Sequence, residues 1–311
     1  MANLGFGLRR ALALSAFCVV GLVAACTSVQ YNLPPVAIDT DGARHPGKFI
    51  WHDLISDTPR ASQAFYTALL GWEFQSLRLT GAEYWLITHG GQPIGGMVNQ
   101  ARIPAGKDVS QWVSVLSVAD IAAATGIVTE SGGTVLRQPV SVGDRGDIAV
   151  FADPTGAIFA ALQSRDGDPG DEGAPIPEGA FLWHELWTAD VDGAAEFYAA
   201  LCGLDIERGE TAGRDGQSVA YHLLRDDALA RSGVRDLPLA DLPPLWMPYL
   251  RVADAAALES LLERIPGLGG RVLVPSMARP AGGFLAVIAG PSGAPIALQT
   301  WGDKQPRIKA G

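Results

Sequence analysis

The half-apolar stretch from Phe49 to Ser56 reads as a strand, and a helical period follows from Arg60 to Leu70, with Ala64, Phe65, Ala68 and Leu69 on one face. Gly71 stands where a helix C-cap glycine belongs. Three short strands are expected next, at Trp72 to Leu79, Tyr84 to Thr88 and Ile94 to Asn99. The cycle then restarts with a strand from Gln111 to Ala119 and a helix from Ile121 to Ser131, which Gly132 and Gly133 close. Strands follow near Thr134 to Val142, Asp147 to Phe151 and Ile158 to Gln163. The pattern is βαβββ twice over, an α+β organisation.

That double cycle is itself repeated. FIWHDLISDTPRASQAFYTALLGWEF begins at Phe49 and FLWHELWTADVDGAAEFYAALCGLDIE at Phe181, so that Trp51 and Trp183, Phe65 and Phe197, and Gly71 and Gly203 are each 132 residues apart. Later landmarks drift to 134 (Trp112 to Trp246) and 137 (Gly156 to Gly293), as small loop insertions produce. Between the copies lies SRDGDPGDEGAPIPEG, whose density of Gly, Pro and acid reads as a linker without a core of its own. The expected division is therefore 1–25, a leader; 26–47, a tether; 48–163, the first domain; 164–179, the linker; 180–302, the second domain; and 303–311, a tail.

The N-terminus carries Arg9 and Arg10, a 15-residue apolar run from Ala11 to Ala25, and then Cys26. The run is short for a membrane-spanning helix, which needs about 20 residues, and fits a secretory signal. Leu22-Val23-Ala24-Ala25 ahead of Cys26 resembles the lipobox of bacterial lipoproteins. That resemblance implies acylation of Cys26 and a lipid-anchored place in the cell envelope, with Thr27 suiting the outer membrane on its periplasmic side. Cys18 leaves with the leader, so Cys202 is the one thiol expected in the folded part and no internal disulfide can form. The formal charge of −10 makes nucleic acid a poor partner. A small organic molecule, the membrane and a second copy of the chain are the partners to consider.

The strand leading into D...A..FY...LG, the Val118-Ala119-Asp120 and Val252-Ala253-Asp254 helix starts, and the final DPTGAIFAALQ and GPSGAPIALQ hairpins resemble the vicinal oxygen chelate superfamily. Its members include glyoxalase I, bleomycin-resistance proteins and extradiol dioxygenases. The resemblance implies two tandem glyoxalase-like domains, each a pair of βαβββ units curling a sheet into a cup. In metal-using members the cup holds a divalent ion. Here the positions matching their ligands hold Trp51, Trp183, Val113, Met247, Ala160 and Ala297, and no acid or histidine lies between Gly91 and Gln100. Neither tryptophan can ligate a metal, so no metal cofactor is expected.

Strand alternation puts Trp51 and Asp53, with Trp183 and Glu185, on the cup face, and His52 and His184 on the opposite one. Trp51, Asp53, Trp183 and Glu185 are the candidate ligand-binding residues, their aromatic walls and carboxylates suiting an organic ligand, a cationic one included. Trp112 and Trp246 read as core residues. A register shifted by one would make His52 and His184 metal ligands, with Asp53, Glu185, Gln163 or Gln299 as further donors and a divalent metal as cofactor. Cys202, at a helix C-terminus, is a poor nucleophile. Gly95-Gly96 and Gly282-Gly283 read as turns and bulges. Three functions stand open: a binding or sequestering protein, a metal-dependent lyase or dioxygenase, and an envelope interaction module.

Overall fold

A computed structural model describes residues 32–300 apart from 39, 41, 80–81, 104–106, 172–175, 214–215, 228, 239–241 and 280–281. The leader, Cys26 and the tail from residue 301 lie outside the described residues. No helix among the described residues is long and apolar enough to cross a membrane.

The first copy runs β1 (Phe49–Ser56), α1 (Pro59–Leu70), β2 (Glu73–Leu79), β3 (Ala82–His89), β4 (Gln92–Asn99), then β5 (Gln111–Ser117), α2 (Ile121–Glu130), β6 (Thr134–Ser141), β7 (Gly146–Ala152) and β8 (Ile158–Ser164). The second runs β9 (Phe181–Thr188), α3 (Val191–Cys202), the short β10 (Asp205–Glu207) and β11 (Glu210–Ala212), β12 (Ser218–Arg225), β13 (Ala230–Asp236), β14 (Leu245–Val252), α4 (Ala255–Arg264), β15 (Arg271–Ala278), β16 (Phe284–Ala289) and β17 (Pro295–Thr300). The helices begin and end for local reasons: Asp120, Asp190 and Asp254 accept from backbone amides as N-caps, and Gly71 and Gly203 close α1 and α3 in the left-handed region.

Each copy closes its own sheet, in the order β2-β3-β4-β1-β5-β8-β7-β6 for the first and β10-β12-β13-β9-β14-β17-β16-β15 for the second, with β11 on β12. The two βαβββ units of a copy meet where β1 pairs antiparallel with β5, and β9 with β14. The mixed α+β architecture of two tandem glyoxalase-like domains is the one the repeat implied.

Helices of both copies pack together on the inner faces of the two sheets. One shared core joins α2 and α3 through Val128, Phe159, Phe197, Tyr198 and Trp246; the other joins α1 and α4 through Phe65, Tyr66, Trp112, Leu258 and Leu262. Trp112 and Trp246 are core residues, each indole N–H donating to a tyrosine hydroxyl, Tyr66 at 3.2 Å and Tyr198 at 2.8 Å. Neither helix pair could bury its apolar stripe within one copy, so the two domains stabilise each other.

Both spacers prove more structured than their composition implied. In the linker, Asp168 is wholly buried because it has three donors, the His45 amide (2.6 Å) and the Ser117 and Ser164 hydroxyls (2.6 and 2.7 Å). Asp171 binds Arg231 bidentately at 2.6 Å and Lys48 at 2.9 Å. In the tether, Leu33 and Val36 are buried.

Candidate functional site

Strand parity falls as the alternation required. The pairing slips by one residue between Phe49 and Trp51, and again opposite Phe181–Trp183, so a bulge at the start of β1 and β9 aims Phe49 and Phe181 inward and both tryptophans outward. Trp51, Val113 and Ala160 share one apolar cluster in the first cup, and Trp183, Met247 and Ala297 share its counterpart in the second.

His52 and His184 lie on the inner faces, where the copies touch. Their Nε2 atoms are 2.7 Å apart, His52 stacks on Phe181 at 3.4 Å, and His184 stacks on Phe49 at 4.1 Å. His52 Nδ1 is 3.3 Å from the Ile94 carbonyl, which can only accept, so Nδ1 carries the proton and Nε2 accepts from His184 Nε2–H. Burial lowers the His52 pKa to about 3, against a small opposing effect of the Ile94 bond; burial, then the His52 ring, lowers that of His184 well below the ordinary value. Both rings are neutral, and they tie the two domains together.

In the first cup, Tyr84 Oη donates to Asp53 Oδ1 at 2.8 Å and Trp51 Nε1 lies 3.0 Å from that hydroxyl. Arg145 Nη1 reaches Tyr84 Oη at 2.9 Å, and its guanidinium lies 3.9 Å over the Trp51 ring. Burial raises the Asp53 pKa, with Arg145 the chief opposing influence. The cup is filled from within the chain: Leu33 and Val36 pack into it, Arg145 Nε donates to the Pro34 carbonyl at 3.0 Å, and the Leu33 and Val142 backbones pair at 3.0 Å. A cation already occupies the face of Trp51, so the first cup offers no room for a ligand there.

The second cup repeats the cluster and stays open. Tyr221 Oη donates to Glu185 Oε1 at 2.9 Å, Trp183 Nε1 lies 3.3 Å from Tyr221 Oη, and Arg279 Nη2 is 4.0 Å from Glu185 Oε1. The other carboxylate oxygen accepts from Tyr249 Oη and, at 3.4 Å, from Trp187 Nε1, with Arg235 Nη1 3.9 Å away. Burial, then the Glu185 charge, holds both tyrosine hydroxyls well above the usual phenol pKa, so they remain donors. Above this floor lies a cavity of about 1170 Å3 with Trp187, Leu245, Met247, Val274, Leu285 and Val287 in its walls. Glu185 lines it directly, while Trp183 lies in the cluster beneath.

Tyr84, Tyr221, Arg145, Arg235, Arg279 and Tyr249 escaped the sequence reading because they come from strands and turns far along the chain. One signal was present. Gly95 and Gly96 are interior to β4 rather than in a turn: a Cβ on Gly96 would overlap Tyr84 Oη and sit 2.5 Å from Asp53 Oδ1, and one on Gly233 would come 2.5 Å from Tyr221 Oη. These glycines let the tyrosines reach the carboxylates. Gly282 and Gly283, both with positive φ, do form a turn.

The residues do not fit a divalent ion. Glu185 accepts from phenol and indole donors on both oxygens and Asp53 from a phenol and an indole on Oδ1, the histidines face away, and Gln163 caps α2 by accepting from Ile121 N at 3.0 Å. Gln299 is buried in β17 without a hydrogen-bond partner among the described residues. No group of three His, Cys, Asp or Glu among the described residues could hold a metal. Burial pushes the Cys202 thiol up to about 12, which leaves it inert.

Residues 50–162 match the family described as Glyoxalase-like domain. The Anthracycline biosynthesis protein DauV of Streptomyces sp. strain C5 is 31% identical over 240 residues, 73% of this chain and 84% of its own. The Mycobacterium tuberculosis protein CFP32, which carries a provisional glyoxylase name, is 29% identical over 251 residues, 78% of this chain and 91% of its own. Among solved structures, 2,2',3-trihydroxybiphenyl 1,2-dioxygenase from Sphingomonas wittichii strain RW1 superposes with a TM-score of 0.57 at 13% identity, covering 86% of this chain and 94% of its own. The Mn(II)-bound glyoxalase from Novosphingobium aromaticivorans gives 0.54 at 14% identity, covering 80% of each chain. With a curled sheet in each copy and relatives at this level of identity, the chain belongs to the vicinal oxygen chelate superfamily, as a tandem glyoxalase-like protein.

Proposed function

We propose that this protein binds or sequesters a small, largely apolar organic molecule in its second cup, while its own tether closes the first. The observation behind this reading is the cavity over Glu185, about 1170 Å3 with mostly aliphatic and aromatic walls. That is room enough for a drug-sized molecule, whose pockets run from about 300 to 1,000 Å3. A purely structural module for contact with another protein has no use for such a void, which deprives the lining of packing partners. A lyase or dioxygenase of the superfamily's metal-using kind lacks donors at the inherited positions, where Trp183, Met247 and Ala297 stand. The proposed place of action is the cell envelope, through a lipid on Cys26. The short apolar run ahead of that cysteine supports this.

Trp187 lines the cavity and supplies an intrinsic reporter. Titration with small aromatic and aliphatic compounds should change tryptophan emission saturably in the wild type, and the change should fall sharply in Trp187→Phe. Absence of a saturable response across acids, neutral compounds and hydrophobic cations would defeat the reading. Stoichiometric metal in protein purified without chelator, lost on Glu185→Gln, would return an enzyme to the front.

A further inference from the structure

The two cups have the same floor. In each, a carboxylate accepts from a tyrosine hydroxyl, Asp53 from Tyr84 and Glu185 from Tyr221, and an arginine comes in from the connection ahead of the penultimate strand, Arg145 before β7 and Arg279 before β16. What stands over the floor differs. In the second copy it is the cavity of about 1170 Å3; in the first it is residues 33–36 of the chain's own tether. The repeat accounts for the difference. Moved on by the 132 residues that separate His52 from His184, 33–36 become 165–168, a stretch that the first copy holds. Arg165 donates to the Arg145 and Gly143 carbonyls at 3.2 and 3.0 Å, and Asp168 is buried against His45, Ser117 and Ser164.

The tether segment is seated as a ligand would be and not as part of the sheet. No sheet pairing among the described residues includes it. Leu33 packs in the cluster of Tyr84 and Val36 in that of Trp51, and between them the Pro34 carbonyl accepts from Arg145 Nε at 3.0 Å. Its buried hold is those two side chains, for Ile38 just beyond is 67% exposed. The fit is also incomplete. Arg145 is 2% exposed, yet its Nη2 has no hydrogen-bond partner among the described residues, so the floor keeps an unmet donor beneath the segment that covers it.

Resting on the reading of the second cup as a ligand site, whose floor the first repeats, we infer that the first cup is a second ligand site, for an apolar molecule with a carbonyl oxygen that Arg145 receives, and that residues 33–36 compete for it from within the chain. The segment itself displays the chemistry the site takes: a carbonyl flanked by two aliphatic groups. A built-in competitor lowers the apparent affinity by the fraction of time it leaves the cup uncovered.

Two uncharged fluorescent probes count the sites by equilibrium dialysis: propionyl-dimethylaminonaphthalene, a ketone, and phenylnaphthylamine, which has no carbonyl. The wild type should bind the ketone in two classes, a tight one at the second cup that Trp187 emission reports and a weak one. Leu33→Ala with Val36→Ala should tighten the weak class by at least about tenfold, since a single buried Leu→Ala removes that much of the segment's hold, and leave the tight class unchanged. Leu33→Cys with Val142→Cys, at positions that pack together, should lose the weak class when oxidised to a disulfide and regain it on reduction, a comparison made within one folded protein. The weak class should favour the ketone over phenylnaphthylamine; equal affinities would overturn the carbonyl assignment. One class of site in every form, with the Trp187 response intact, would overturn the first cup as a ligand site and leave the second standing. No binding of either probe in any form would sink both.

Discussion

Acidification should pull the two domains apart through the His52–His184 pair before it reaches the range of ordinary carboxylates. A histidine whose folded pKa is depressed binds its proton in the unfolded chain first. Its favourable contribution is therefore fully present above the unfolded value, near 6.5, and is lost as pH falls from there toward the folded value of about 3. For His52 alone the loss amounts to about 2 kcal/mol by about pH 5 and about 5 kcal/mol once both states are protonated. His184, held low by the same burial and by its partner, adds in the same direction. Against a total stability of about 5–15 kcal/mol this is a large share. The assay is urea unfolding followed by circular dichroism at neutral pH and at about pH 5, on wild type and on the double variant His52→Leu, His184→Leu. Carboxylate titration is common to both proteins, so the difference between their pH profiles isolates the imidazoles. Wild type should lose at least about 2 kcal/mol more than the double variant over that interval. Either single variant should be less stable than the double at neutral pH, because it strands one buried ring nitrogen at a cost of about 1–3 kcal/mol. Parallel pH profiles for wild type and double variant would refute the buried neutral pair.

Other consequences of the geometry can be checked by the same unfolding measurements. Gly96→Ala should cost about 1–3 kcal/mol by driving a methyl group into Tyr84 Oη, whereas Gly126→Ala, inside α2 with nothing near its Cβ, should stabilise by about 0.5–1 kcal/mol; equal effects would contradict the placement of β4. Arg145→Ala leaves the Asp53 carboxylate buried without its counterion and should cost about 3–5 kcal/mol at neutral pH. Since burial already raises the Asp53 pKa, that loss should shrink as acid protonates the carboxyl, and a loss independent of pH would argue against the pair. Asp168→Ala strips three donors of their acceptor and should destabilise by about 2–4 kcal/mol, while exposed Asp166→Ala nearby should change little; comparable small effects would return the linker to a passive role.

Strand parity was legible because it is local: a side chain on a strand can face only one of two ways, and Trp51-His52-Asp53 and Trp183-His184-Glu185 state the choice twice. The helix faces, caps and glycine stops were legible for the same reason. The cup floors were not. Tyr84 and Tyr221 reach the carboxylates from strands more than 30 residues away, with separations of 31 and 36, and Arg145 and Arg279 arrive from later turns still. Only Gly95-Gly96 hinted at them, and a glycine pair in a sequence signals turns as readily as close approach. The tether deceived for a different reason. Leu33 and Val36 are too sparse among prolines and polar residues to announce a buried segment, and what buries them is a cup built from the rest of the first copy.

By itself, then, the sequence determined the repeat, the βαβββ order, the cup and helix faces of each strand, and the absence of metal-binding side chains from the inherited seats. These follow from periodicity and residue chemistry, which act over a few neighbours. Tertiary structure alone decided that the two histidines meet across the domain interface, that one cup is stoppered by its own chain, and that the other gathers Arg235, Arg279 and two tyrosines around Glu185. Those depend on which distant segments the folded chain brings within contact distance, a property of sheet register and packing that no short stretch of residues encodes.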